Sequence, residues 1–197
     1  MKKFLLFIML LTLTTAFGQT PTQVLDKAAQ KLTVKTGCSA NFKATMAQGT
    51  VSGTIAVKGN KFMATTQHTK VWFDGKTQWT YLTRNDEVNV SNPKDSELQS
   101  LNPYNFLTIY KKGYKSSMSK SGANYIVHLT ADNKQKKVQE MFITVDSKSY
   151  NLSQVKMLQG KKWVTFDVTN LKQEKLPDSY FVFNAKDFPT AEVIDLR

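Results

Sequence analysis

The sequence predicts a mainly β domain with some α: an antiparallel meander of about ten or eleven short strands, one early helix and a short helical insertion. Three observations carry that prediction. Apolar and polar residues alternate with period two from Ser39 to about Ser91, and again from Tyr114 onward. Turn residues punctuate both stretches at short intervals, as in Gln48-Gly49, Gly59-Asn60, Asp74-Gly75 and Ser121-Gly122. Helical spacing occurs only before the first alternating stretch and between the two.

Residues 1–18 read as a signal peptide. Lys2 and Lys3 precede an apolar run from Phe4 to Leu13, and Ala16-Phe17-Gly18 places small residues before a cut ahead of Gln19. The run is too short to span a bilayer as a helix. Residues 19–197 are then expected to be one exported, periplasmic domain.

Thr20-Pro21 supplies an N-cap and a proline at the first helical position. Val24, Leu25, Ala28 and Leu32 recur at helical spacing to about Lys35, and Gly37 closes the helix. In the meander, Ala40, Phe42, Ala44 and Met46 form one row, and Val51, Gly53, Ile55 and Val57 the next. Phe62 and Ala64 mark a third strand. Val71 to Leu82 reads as a hairpin around a type I′ turn at Asp74-Gly75, with Trp79 and Tyr81 on one face. Val88 and Val90 follow a polar turn.

Alternation stops at Asn92-Pro93. Lys94 to Leu101 reads as a short polar helix; Phe106, Leu107 and Tyr110 form a second helical stripe, closed by Gly113. Helices that interrupt a meander cover a sheet face or close a pocket. Strands resume at Tyr114 to Ser119, Tyr125 to Thr130, Met141 to Val145, Leu152 to Leu158 and Trp163 to Leu171. Pro177-Asp178 breaks the pattern before Tyr180 to Phe183 and a closing stretch from Val193.

No catalytic constellation is present, so the chain does not read as an enzyme. His68 and His128 have no partner at metal-ligand spacing, and no glycine loop suits a phosphate. No cofactor is implied. Cys38 is the only cysteine, which excludes an intramolecular disulfide and suits a small buried residue. The formal charge is +12, or +10 once Lys2 and Lys3 leave with the signal peptide. Behind a signal peptide that balance points to anionic lipid or an acidic partner rather than nucleic acid, and equally to plain solubility. Phe42, Phe62, Trp79, Tyr81, Tyr104 and Phe106 either line a cavity for acyl chains or fill an ordinary core. The residue pattern alone leaves both open.

Several segments together resemble the periplasmic lipoprotein-carrier (LolA-like) family over about Thr20 to Arg197. They are the early helix, Ser39-Ala40-Asn41-Phe42, Gly53 to Lys58, Lys61-Phe62, the hairpin from Asp74 to Tyr81, Asn102 to Leu107 and Ile194-Asp195-Leu196. The resemblance implies an unclosed antiparallel β-barrel whose concave side is covered by the helix and a helical lid. It implies a monomeric carrier that takes acylated lipoproteins or lipids from an inner-membrane lipoprotein-releasing transporter to an outer-membrane acceptor, with transient contact at the membrane surface. Leu25, Leu32, Phe62, Trp79, Phe106 and Leu107 would contact acyl chains, with Phe42, Tyr81 and Tyr104 completing the lining. Family members often follow the strand ending at Lys58 with an arginine and a proline, the arginine helping to latch the lid; here Gly59-Asn60 stands there, flanked by Lys58 and Lys61. Lysine lacks the planar fork of arginine, so the latch is not carried over. The alternative implied by the same fold is a sensor of lipid or lipoprotein that regulates a membrane partner.

Overall fold

A computed structural model describes residues 18–32, 35–94 and 109–197. Helix α1 spans Pro21–Leu32. Its start is a reciprocal capping box. The Gln23 N–H donates to Thr20 Oγ1 at 3.2 Å, and the Thr20 N–H donates to Gln23 Oε1 at 3.0 Å. Pro21 occupies the first helical position, where its missing N–H leaves no bond unmade.

Twelve strands form one sheet: β1 Cys38–Met46, β2 Gly49–Lys58, β3 Lys61–Thr66, β4 Thr69–Phe73, β5 Gln78–Leu82, β6 Glu87–Ser91, β7 Tyr114–Ser121, β8 Asn124–Ala131, β9 Val138–Asp146, β10 Leu152–Gln159, β11 Lys162–Gln173 and β12 Glu192–Asp195. Their spatial order is β12-β6-β5-β4-β3-β2-β1-β11-β10-β9-β8-β7, so among the described residues the sheet has two free ends and is not closed. That fits an unclosed barrel, with twelve strands instead of ten or eleven. Strands of four or five residues between tight turns are easily merged in a sequence reading.

Three local expectations need correction. The last strand, β12, lies parallel to β6, so the sheet is not wholly antiparallel. Tyr180 to Phe183 is not a strand; Asp178–Phe181 is a 3-10 turn that carries the chain across a sheet face. The β4–β5 connection is a four-residue loop in place of a two-residue type I′ turn. There Asp74 Oδ1 accepts the N–H groups of Lys76 and Thr77 at 2.8 and 2.7 Å, and only Gly75 has positive φ. A short carboxylate that captures its own backbone makes such a loop competitive with the tighter turn.

The sheet has two different faces. On one, α1 lays Val24, Leu25 and Ala28, all fully buried, against Val127, Leu129, Met141, Ile143, Val155 and Met157 of β8 to β10. Full burial of each large apolar side chain stabilises by about 1.5–3 kcal/mol, which fixes a helix too short to persist alone. A second cluster on this face joins Cys38, Val57, Phe62 and Phe73 of β1 to β4. The opposite face of β2 to β6 is covered by the C-terminal segment that precedes β12. Leu176 and Phe181 pack there on Ala56 and Met63, and Phe183 and Phe188 pack on Trp72.

Candidate functional site

The helix-covered face collects four of the residues singled out from sequence. Leu25 lies fully buried in the larger cluster, and Phe62 is 2% exposed in the smaller one, its ring 5.4 Å from Phe73. Leu32, half-buried at the end of α1, packs against both clusters and so bridges them. Phe42 is half-buried on β1 and shares the face of Phe62 through the register Phe42↔Gly53 and Val57↔Phe62. The helix end is tied down by Cys38, whose Sγ–H donates to the Leu32 carbonyl at 3.4 Å. Burial, with a smaller contribution from Glu174, pushes the Cys38 thiol up to about 11. It is an inert packing group and no nucleophile.

Trp79 and Tyr81 are on the other face. Trp79 pairs with Trp72, and Tyr81 with Lys70, while Phe73 pairs with Gln78 on the helix side. The Tyr81 ring lies 4.7 Å from that of Phe188, and its hydroxyl donates to Asp86 at 2.9 Å. These two residues therefore do not line the surface that Leu25 and Phe62 define. Tyr81 and Trp72 border the docked C-terminal segment, where a cavity of about 630 Å³ opens among Met63, Trp72, Tyr180, Val182, Phe183 and Phe188. Sequence reasoning missed this cavity. Its signal is the aromatic run from Tyr180 to Phe188, whose spacing imitates a strand.

Tyr104, Phe106, Leu107 and nearly all of the two helices expected between Lys94 and Tyr110 lie outside the described residues. The chain returns in a 3-10 turn, Ile109–Lys111, that is clasped to α1. The Tyr110 hydroxyl donates to Asp26 Oδ1 at 2.5 Å, and Lys111 Nζ stands 3.8 Å from the same oxygen. Lys58 and Lys61, the cations beside Gly59-Asn60, both pair with Asp178 of the C-terminal segment, at 2.8 and 3.1 Å. They brace the opposite face, so the described clasp on α1 is Asp26 with Tyr110 and Lys111.

That clasp has a pH signature. Burial first, then the hydrogen bond to Asp26, raises the Tyr110 phenol above its ordinary range, and burial raises Tyr114 as well. A group with a raised folded-state pKa contributes stability in full below its unfolded value and loses it as pH rises towards the folded one. Unfolding free energy should therefore fall above about pH 9–10, where the unfolded thiol and phenols ionise. Urea titrations across that range should show a shallower decline for Tyr110→Phe; an identical slope would remove Tyr110 from the account.

Chemically, this face offers mostly apolar area, with a polar pair, Gln78 and Thr80, on β5. Gln78 is 9% exposed beside Phe73, and its Oε1 has no hydrogen-bond partner among the described residues. Its Nε2 donates to Thr80 at 3.2 Å. A glutamine at an inward position of an alternating strand was the readable signal. Among the described residues no group of His, Cys, Asp or Glu is placed to hold a metal ion.

Comparison with known proteins gives the fold a family. An uncharacterized conserved protein from Thermus thermophilus superposes with a TM-score of 0.62 at 13% identity, covering 90% of this chain and 99% of that one. A LolA superfamily protein from Nitrosomonas europaea gives 0.45 at 10% identity over 84% and 99%. The MucA/MucB complex of Pseudomonas aeruginosa gives 0.46 at 10% identity over 84% and 62%. No curated protein matches the chain. The family described as "Outer membrane lipoprotein carrier protein LolA" matches residues 13–161, three quarters of the sequence, and the chain is a member of it.

Proposed function

We propose that this protein is a soluble periplasmic carrier that holds the acyl chains of lipoproteins between α1 and the sheet. On this reading residues 1–18 direct export, and residues 19–197 form one binding domain. The observation that carries the reading is the helix-covered face itself. Two apolar clusters meet beneath one short helix, and Leu32 alone among its described residues packs on both. Leu25 and Phe62 are sealed in the described state, so loading requires α1 to lift and acyl carbons to replace its contacts. Each buried methylene contributes about 0.8 kcal/mol, while the displaced helix offsets part of that gain and keeps release possible. Donor and acceptor at the two membranes would be a lipoprotein-releasing transporter and an outer-membrane receptor. Among the described residues, Gln78 Oε1 is the buried acceptor left open for an amide N–H or hydroxyl at the head of the chain.

Native mass spectrometry of protein exported in a bacterial host tests the proposal. Acylated lipoprotein or lipid should co-purify, disappear after mild organic extraction, and fall at least about tenfold in Leu32→Glu, which introduces a charge where the chains would pass. Leu32 is only half-buried, so this variant should still fold. A clean apo mass that stays unchanged after mixing with acylated peptide would return this face to an ordinary core.

A further inference from the structure

The lysines are not spread evenly, and their placement points to a surface that acyl binding does not explain. We infer that the β7 edge of the molecule is an electrostatic docking surface for an anionic lipid bilayer, built from Lys111, Lys112 and Lys115 together with Lys134, Lys136 and Lys137 of the β8–β9 loop.

The two lysine groups are far apart in sequence and are brought together by an ordered loop. The Asp132 N–H donates to the Gly113 carbonyl at 3.1 Å, which seats the loop beside the turn before β7. Gln139 Nε2 donates to the carbonyls of Asn133, Lys134 and Lys136, at 3.4, 3.1 and 2.5 Å, and holds the loop's shape. Lys136 crosses to the other group, with Nζ 3.5 Å from the Lys112 carbonyl and 5.0 Å over the Tyr114 ring. The remaining five lysines are exposed. Asp132 is the carboxylate within the loop, and Asp26 faces Lys111. At the far end of the sheet, around β6 and β12, Asp86, Glu87, Asp187, Glu192 and Asp195 outnumber the cations Arg84, Lys186 and Arg197, the last paired with Asp195. The molecule is therefore polarised, and a negative plane would orient it with the β7 edge inward.

Two features select a bilayer. Every basic side chain except Arg84 and Arg197 is a lysine. Lysine is a compact, strongly hydrated charge without a bidentate fork, suited to a diffuse headgroup layer and poorly suited to a single phosphate or carboxylate. Protection of a free sheet edge explains lysines on β7 itself, but not Lys134 and Lys137, which lie in a loop. The inference is independent of what the helix-covered face binds.

The test is co-sedimentation of the exported protein with vesicles of equimolar phosphatidylethanolamine and phosphatidylglycerol, at low ionic strength. Binding is expected on these vesicles, not on phosphatidylcholine, and should weaken as ionic strength rises towards physiological. The combined variant Lys112→Gln, Lys115→Gln, Lys134→Gln and Lys137→Gln should lose at least about tenfold in affinity. A charge-matched control, Lys43→Gln, Lys76→Gln, Lys175→Gln and Lys186→Gln, should retain it; circular dichroism checks both folds. Absence of wild-type binding, equal binding to neutral vesicles, or equal loss in the control would overturn the inference. So would competition by inorganic phosphate at matched ionic strength, which would reassign the lysines to a free anion.

Discussion

Leu25→Ala should lower the unfolding free energy by about 2–5 kcal/mol, the range for a leucine truncated where neighbours cannot collapse into the gap. Leu25 is fully buried in the cluster that joins Val24 and Ala28 of α1 to the apolar residues of β8 to β10. The sheet that frames the gap is held by its own ladders, so relaxation should be limited. That loss is a large part of a typical total of about 5–15 kcal/mol. Chemical denaturation of the purified variant measures it directly. The proposed mechanism adds a second readout. If α1 is the element that lifts, weakening its hold by about 2 kcal/mol raises the lifted population about thirtyfold, and an acyl-chain fluorophore should load faster. A stability loss with unchanged loading would mean that α1 is fixed core and that entry lies elsewhere.

Gly53→Val should be more damaging, by at least about 4 kcal/mol, or should leave the protein insoluble. A Cβ at Gly53 would sit 2.0 Å from the Thr65 carbonyl oxygen and 3.0 Å from the Cε1 and Cζ atoms of the Phe42 ring. The ring can swing aside; the carbonyl belongs to the β2–β3 pairing and cannot move without breaking it. The offending atom is the Cβ itself, so Gly53→Ala should fail almost as badly as valine. Phe42→Ala should not rescue either variant, and the double-mutant cycle separates the backbone clash from the ring contact. Rescue by Phe42→Ala would show that the glycine is there for the ring alone.

How far the sequence reached depends on what each stretch faces. The start of α1 was legible because Thr20, Pro21 and the stripe from Val24 to Leu32 make local signals agree with packing. The strands were legible wherever one side is apolar and the other wet. The Trp hairpin defeated the reading of faces, because β4 and β5 are covered on both sides. Phe73 turns to the helix side, while Trp72, Trp79 and Tyr81 turn to the C-terminal segment. Alternation gives two rows there and cannot say which row meets the cavity. Tyr180 to Phe183 misleads for a related reason: Phe181 docking on Ala56 and Met63 and Phe183 docking on Trp72 are spaced two apart and imitate a strand. The Asp26 clasp was beyond sequence reasoning, since nothing local to Asp26 announces a tyrosine 84 residues away.

The seam between β1 and β11 has a consequence for how the chain reaches this state. Cys38 pairs with Gln173 and Thr45 with Thr165, so the two halves of the sheet join through partners more than a hundred residues apart. The β12–β6 pair is similarly remote, with Glu192 opposite Glu87. Until the last third of the polypeptide is available, β1 has a bare hydrogen-bonding edge, and the site for α1 on β8 to β10 does not exist. High contact order of this kind slows folding into the millisecond-to-second range and lengthens the lifetime of sticky, half-made sheets. A newly made chain should therefore depend on holdase chaperones until its C-terminal strands arrive, and truncation before β11 should leave aggregating material instead of a smaller functional domain.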